Sequence, residues 1–236
     1  MPHISYSELK DWVHCAFYHK LTRIDKIDGF KGNAFTAFGT AVHSVCEKKL
    51  LQEDVDDDYF IQQFEECLEK LDDDIKIDQK LVEDMREQGK KLLPEIHAAL
   101  DDYFGEYEVL AVELPLFEPI EGEDPFQFKG YIDAIHIFDW KTCSWGWDAR
   151  RKNDKMTTYQ LTLYKHFFTQ KTDADPKSIE THFALLKRTA KNNKVEFFRV
   201  TSGPKKTKSA LKMLNMAIYN IKNKRYIKNR LSCTSG

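Results

Sequence analysis

Gly130-Tyr131-Ile132-Asp133-Ala134-Ile135-His136-Ile137-Phe138-Asp139-Trp140-Lys141-Thr142 is the stretch on which the fold turns. Phe126 to Ile135 and His136 to Cys143 read as two strands. Side chains alternate across a strand, so Asp139 and Lys141 share one face while Phe138 and Trp140 pack on the other. If the strand holding Asp133 pairs antiparallel with the next, the two carboxylates converge. Converging carboxylates bind a hard divalent cation through oxygen. A lysine beside that cation orients or deprotonates a water, or neutralises charge developing on a phosphoryl oxygen. Taken alone, Asp-x-Lys is equally read as an ordinary ion pair on a surface hairpin.

Outward from this stretch the chain reads as one mixed α/β domain. Ser5-Tyr6-Ser7-Glu8 is a capping box opening a helix with Leu9, Trp12, Val13, Ala16, Phe17 and Leu21 on its apolar face. Gly29, Gly32 and Asn33 precede a second helix carrying Phe35, Phe38, Val42, Val45, Cys46 and Leu50. A third runs from Tyr59 to Leu71 and a fourth from Leu81 to Phe104. The period then falls from 3.6 to 2 over Tyr107 to Phe117, with Leu110, Val112, Leu114 and Leu116 on one face and Glu113 on the other. Met156 to Phe168 returns to helical spacing, Ile179 to Leu186 and Val195 to Val200 read as strands, and a basic helix closes the chain. Residues 1–236 therefore divide into a mainly helical part (1–105), a sheet-bearing part (106–200) and a basic C-terminal helix (201–236).

The 236 residues carry 36 Lys+Arg against 38 Asp+Glu, a formal charge of −2, with 42% hydrophobic content. That excludes a disordered tail, and no apolar run approaches the roughly 20 residues of a membrane span. No signal-peptide pattern opens the chain. The five scattered cysteines contain no Cys-x-x-Cys pair, which argues against a disulfide framework or zinc knuckle and for a reducing, cytoplasmic setting. The near-zero balance is an average over opposed blocks. Glu53 to Glu108 holds 20 acidic and 6 basic residues, whereas Phe197 to Gly236 holds 10 basic and no acidic ones. Two solvated faces of opposite sign would account for this, as would a basic surface for a polyanion.

Further pieces stand in a telling order. Phe38-Gly39-Thr40-Ala41-Val42-His43 lies upstream of Asp139, and Tyr159-Gln160-Leu161-Thr162-Leu163-Tyr164 lies downstream, with Gln160 and Tyr164 on one helical face. The N-terminus reads Ser5-x-Ser7-x-Leu9-x-x-Trp12-x-x-Cys15-x-x-Tyr18. Together these motifs resemble the PD-(D/E)XK nuclease superfamily and its RecB-like branch, which includes AddB nuclease domains, CRISPR-associated adaptation nucleases and phage exonucleases. The resemblance runs from Ser5 to about Tyr164. It implies a restriction-endonuclease-like core, a mixed central sheet flanked by helices with a helical region before it. It also implies His43, Asp133 and Asp139 as ligands of one or two Mg²⁺ or Mn²⁺ ions, Lys141 as the catalytic lysine, and Gln160 and Tyr164 as supporting residues that contact nucleic acid. Glu113 falls where relatives often carry a supporting acid.

Two departures accompany the match. Only five residues separate Asp133 from Asp139, with no Gly, Pro, Asn or Asp to turn on. Either the turn is unusually tight or a loop is absent from the sequence, and the second is the expectation. Cluster-bearing relatives place one cysteine where Cys15 lies and three near the C-terminus. Here Cys233 is the one late candidate, so the sequence argues against an iron–sulfur cluster.

For the substrate, Trp145 and Trp147 beside Arg150, Arg151 and Lys152 form one candidate surface for stacking bases and gripping a backbone, balanced against core packing of the tryptophans. Lys205, Lys206 and Lys208 of the last helix form a second. The expected function is a divalent-metal-dependent deoxyribonuclease, an exonuclease acting at DNA ends in recombination, repair or phage DNA processing, in the host cytoplasm if phage-encoded. A structure-specific endonuclease, a non-catalytic nucleic-acid adaptor, and a subunit working with a helicase or recombination partner are the alternatives.

Overall fold

The computed structural model describes residues 2–27, 31–105, 112, 114–132 and 137–232, with the side chains of 131, 132, 137 and 138 outside the description. Asp133, Glu113, Cys233 and residues 133–136 of the short connection before Asp139 lie outside the described residues, as do 107–111 of the strand expected from Tyr107 to Phe117.

Strand β1 (His3–Ser5) runs directly into α1 (Tyr6–His14). The capping box forms as the sequence predicts: Ser5 Oγ accepts from Glu8 N at 3.2 Å, and Glu8 Oε2 accepts from Ser5 N at 3.1 Å. The first helix does not continue to Leu21. Cys15 is extended (φ −162°, ψ 114°), and α2 (Ala16–His19) and a π-helical turn (Lys20–Ile24) follow. Tertiary contacts account for the break. The Asn229 amide donates to His14 O at 3.0 Å, satisfying a carbonyl at the end of α1, and Asn229 N meets Cys15 Sγ at 3.4 Å.

Helix α3 (Ala34–Leu50) is capped by Asn33, and α4 (Asp57–Glu69) by Asp56. The helix expected from Leu81 to Phe104 is two, α5 (Gln79–Leu92) and α6 (Glu95–Phe104). Pro94 stands between them; lacking an N–H, it is disfavoured in a helix interior but tolerated at a helix start.

Strands β2 (Leu114–Pro119) and β3 (Gln127–Ile132) pair antiparallel, and β1 joins the far edge of β3 in parallel. A second three-stranded mixed sheet holds β4 (Ile137–Cys143), β5 (Thr181–Lys187) and β6 (Val195–Arg199). The hydrogen-bonded neighbour of β4 is β5, in parallel. Among the described residues the antiparallel pairing expected between the strand of Asp133 and β4 does not form. Helices α7 (Ala149–Asn153) and α8 (Lys155–Thr172) connect β4 to β5, and α9 (Pro204–Lys222) closes the order.

Every residue of β5 is buried, because both faces of its sheet are covered. Trp140, Ala184 and Leu186 enter a core with α3 to α6, while Phe183 and Leu185 enter a core with α1, α8 and α9. Among the described residues no helix is long and apolar enough to cross a membrane.

Candidate active site

The period-2 geometry of β4 does what the sequence predicts. Trp140, 1% exposed, is buried among the helices, and its neighbours Asp139 and Lys141 project to the other side. Lys141 Nζ stands 2.6 Å from Asp139 Oδ2, with the lysine side chain partly open to solvent and the carboxylate almost enclosed. Burying a carboxylate is costly without compensating partners. Asp139 has two: the Lys141 ammonium, and the Gln160 amide, whose Nε2 donates to Oδ1 at 2.7 Å. The same Gln160 nitrogen lies 3.3 Å from the Tyr164 hydroxyl. Helix α8 thus brings Gln160 and Tyr164, one turn apart, against the strand carrying the acid.

Glycine matters at one point of this packing. A Cβ on Gly130 would lie 2.9 Å from Tyr164 Cε1 and 3.2 Å from Phe128 Cε1, so the bare backbone of β3 is what admits the Tyr164 ring. His43 arrives from α3. Its Nε2 lies 3.0 Å from Trp140 O; a carbonyl only accepts, so Nε2 carries the proton and, in the neutral ring, Nδ1 holds the lone pair. A histidine tied in this way to a backbone carbonyl has the second-shell bond typical of metal-ligating imidazoles.

The donor set therefore suits a divalent cation as far as it is described. Asp139 Oδ2 is a buried oxygen whose partner is the Lys141 ammonium at 2.6 Å. His43 meets the strand one residue along, at the Trp140 carbonyl. Among the described residues no group of three or more His, Cys, Asp or Glu side chains is placed to hold a metal ion, and the expected third ligand, Asp133, lies outside them.

Of these groups, Lys141, Gln160 and Tyr164 line a cleft of about 1010 Å³ between the N-terminal segment, β3, β4 and α8, with Asp139 enclosed behind Lys141 and Gln160. Tyr6 lines it and donates from its hydroxyl to Met156 O, tying the start of α1 to α8. Burial pushes the Tyr6 phenol well up, helped by the charges of Asp154 and Asp139, so it stays protonated. Glu8 also lines the cleft; burial raises its carboxyl, but the His19 ring and the Ser5 N–H outweigh this and hold it below the usual range.

Of the expected nucleic-acid contacts, Arg151 lines the cleft and Arg150 is exposed beside it on α7. The tryptophans separate: Trp145 is 74% exposed, whereas Trp147 is 7% exposed and packs on Phe183 and Phe198 at centroid distances of 5.1 and 5.7 Å. Trp147 is thus a core residue with an edge on the cleft, which favours the core-packing reading over the stacking platform. Arg151 lies over its ring at 4.4 Å. Lys152 is drawn into an ion pair with Glu196, which also binds Lys187 at 3.1 Å. Lys205, Lys206 and Lys208 do not line the cleft; they sit at the start of α9, beyond α8, where Lys206 Nζ donates to Thr201 O at 3.0 Å. The cations that do line it with Lys141 and Arg151 are Lys10, Arg23, Lys26 and Lys129. They come from separate segments with no local charge run, so no sequence signal marked them.

The model of the PD-(D/E)XK nuclease superfamily matches residues 3–234. The chain belongs to this superfamily. A comparison with curated protein sequences gives no match. Among solved structures, the crystal structure of a presumed exonuclease from Eubacterium rectale superposes with a TM-score of 0.64 at 16% identity, covering 99% of this chain and 86% of that one. That likeness supports the PD-(D/E)XK fold. Superfamily membership makes the chain a nuclease with a nucleic-acid substrate, and nucleases of this superfamily generally use divalent metal ions.

Proposed function

We propose that this chain is a divalent-metal-dependent deoxyribonuclease of the RecB-like branch that acts exonucleolytically at DNA ends. The observation that carries the reading is the enclosed Asp139 carboxylate, held between Lys141 and Gln160, which themselves line a cleft ringed with cations. His43 and Asp139, with Asp133, would hold Mg²⁺ or Mn²⁺. When bound, such a cation supplies Lewis-acid charge at the scissile phosphate and lowers the pKa of a coordinated water.

The remaining work falls to the chain. Gln160 fixes one oxygen of Asp139 and leaves the other to Lys141. Lys141, one end anchored at Asp139, presents its ammonium to the phosphoryl oxygens and to the attacking water, orienting the one and offsetting charge on the other. Lys10, Lys26, Lys129 and Arg151 grip backbone phosphates on either side, and Trp145 offers an exposed ring for a base.

The test is incubation with Mg²⁺ or Mn²⁺ on linear and covalently closed circular DNA, single- and double-stranded. Degradation of linear molecules alone supports the end-acting exonuclease. Nicking of closed circles would replace it with an endonuclease, and binding without cleavage would make the chain an adaptor.

A further inference from the structure

Helix α8 has two working faces. Thr157, Gln160 and Tyr164 look into the cleft, while Lys165, His166 and Thr169, roughly half a helical turn around, line a groove between α8 and α9 of about 850 Å³. Nothing in the cleft chemistry uses this groove. Much of its wall is apolar, from Pro176, Leu211, Met216 and Tyr219. Met216 and Tyr219 are each 50% exposed, one turn apart on α9, where a helix closing a core usually presents polar residues.

Two further features describe what would fit. The charge is positive: Lys208 and Lys212 line the groove, Arg225 stands 5.1 Å over the Tyr219 ring, and the acid Glu123 is paired with Lys222 at 2.7 Å. Burial lowers the pKa of His166, favouring its neutral form, and Lys165 Nζ donates to Ile179 O at 2.7 Å.

We propose that the groove docks an acidic peptide segment of a partner protein. Bulky apolar side chains of that segment lie on Leu211, Met216 and Tyr219, and its carboxylates meet Lys208 and Lys212. The unbranched thioether of Met216 adapts to such a side chain. A phosphodiester backbone would satisfy the lysines but has little use for the apolar wall of Pro176, Leu211 and Met216. The inference stands apart from the reading of the cleft.

The experiment titrates the full chain into a short fluorescein-labelled peptide alternating glutamate with leucine and phenylalanine, followed by fluorescence anisotropy. Saturable binding is expected with a dissociation constant on the order of 10 µM. Lys212→Glu and Met216→Asp should each weaken it by at least about tenfold with melting temperature unchanged. So should a peptide whose apolar residues are replaced by serine. Equal affinity for the serine peptide, or for the two variants, would overturn the proposal. So would a short oligonucleotide that binds more tightly than the peptide and is weakened by the same substitutions.

Discussion

Trp140 and its neighbours Asp139 and Lys141 stand on opposite sides of one strand, and the two sides follow different rules. On the Trp140 side, Phe38, Phe60 and Phe64 meet at centroid distances of 5.8 to 6.0 Å in a dry core of α3 to α6, with the acidic excess of the chain turned outward. That side gives the site one group, His43. On the Asp139 side, a carboxylate and an amide are buried where apolar residues would pack at lower cost, and their bonds are directed at each other and at the cleft. One side is optimised for burial; the other accepts a desolvation cost to hold polar atoms in place.

Substitutions should divide along that line. Asp139→Ala or Lys141→Ala should lower cleavage by at least about 10³-fold while circular dichroism and melting temperature stay near the parent values. Near-parent cleavage by either would end the assignment of the cleft. Trp147→Ala should cost about 3–5 kcal/mol of stability, read by urea unfolding. Trp145→Ala should leave stability alone and weaken single-strand binding about tenfold, as loss of a 1–3 kcal/mol stack implies. The reverse pattern would restore Trp147 as the stacking platform.

Gln160→Ala removes the clamp rather than a reacting group. It should slow cleavage about 10- to 100-fold and raise the cation concentration needed for half-maximal rate; an unchanged cation requirement would make Gln160 merely structural. On the helical side, a Cβ on Gly89 would lie 2.2 Å from the Phe60 ring. Gly89→Ala should therefore destabilise by about 1–3 kcal/mol, despite alanine's better helix propensity, with no change in rate per folded molecule.

The smallest effect concerns acid. Because Glu8 is held below its ordinary pKa, its contribution is present above the unfolded glutamate value and is lost as pH falls through the folded one. Glu8→Gln should flatten the acid limb of a plot of melting temperature against pH. A limb as steep as the parent's would assign the acid sensitivity to other carboxylates.

What could be read from the chain follows the range of each force. The capping box of Ser5 and Glu8, and the alternation that separates Trp140 from Asp139 and Lys141, are set within a few residues, and both appear as expected. Pro94 was an equally local signal that the long apolar spacing from Leu81 to Phe104 obscured. The break at Cys15 had no local mark, because Asn229, more than 200 positions away, meets the helix end.

By itself, then, the sequence determined which residue types stand on which face, and through its ordered motifs the superfamily to which the chain belongs. The tertiary structure alone decided that Gln160 bonds to Asp139, that Trp147 is core while Trp145 is open, and that scattered Lys10, Lys26 and Lys129 share a cleft from which Lys205, Lys206 and Lys208 are absent. Periodicity acts along one element, whereas convergence depends on how separate elements pack, and that packing is settled by the burial of both faces of the β4–β6 sheet.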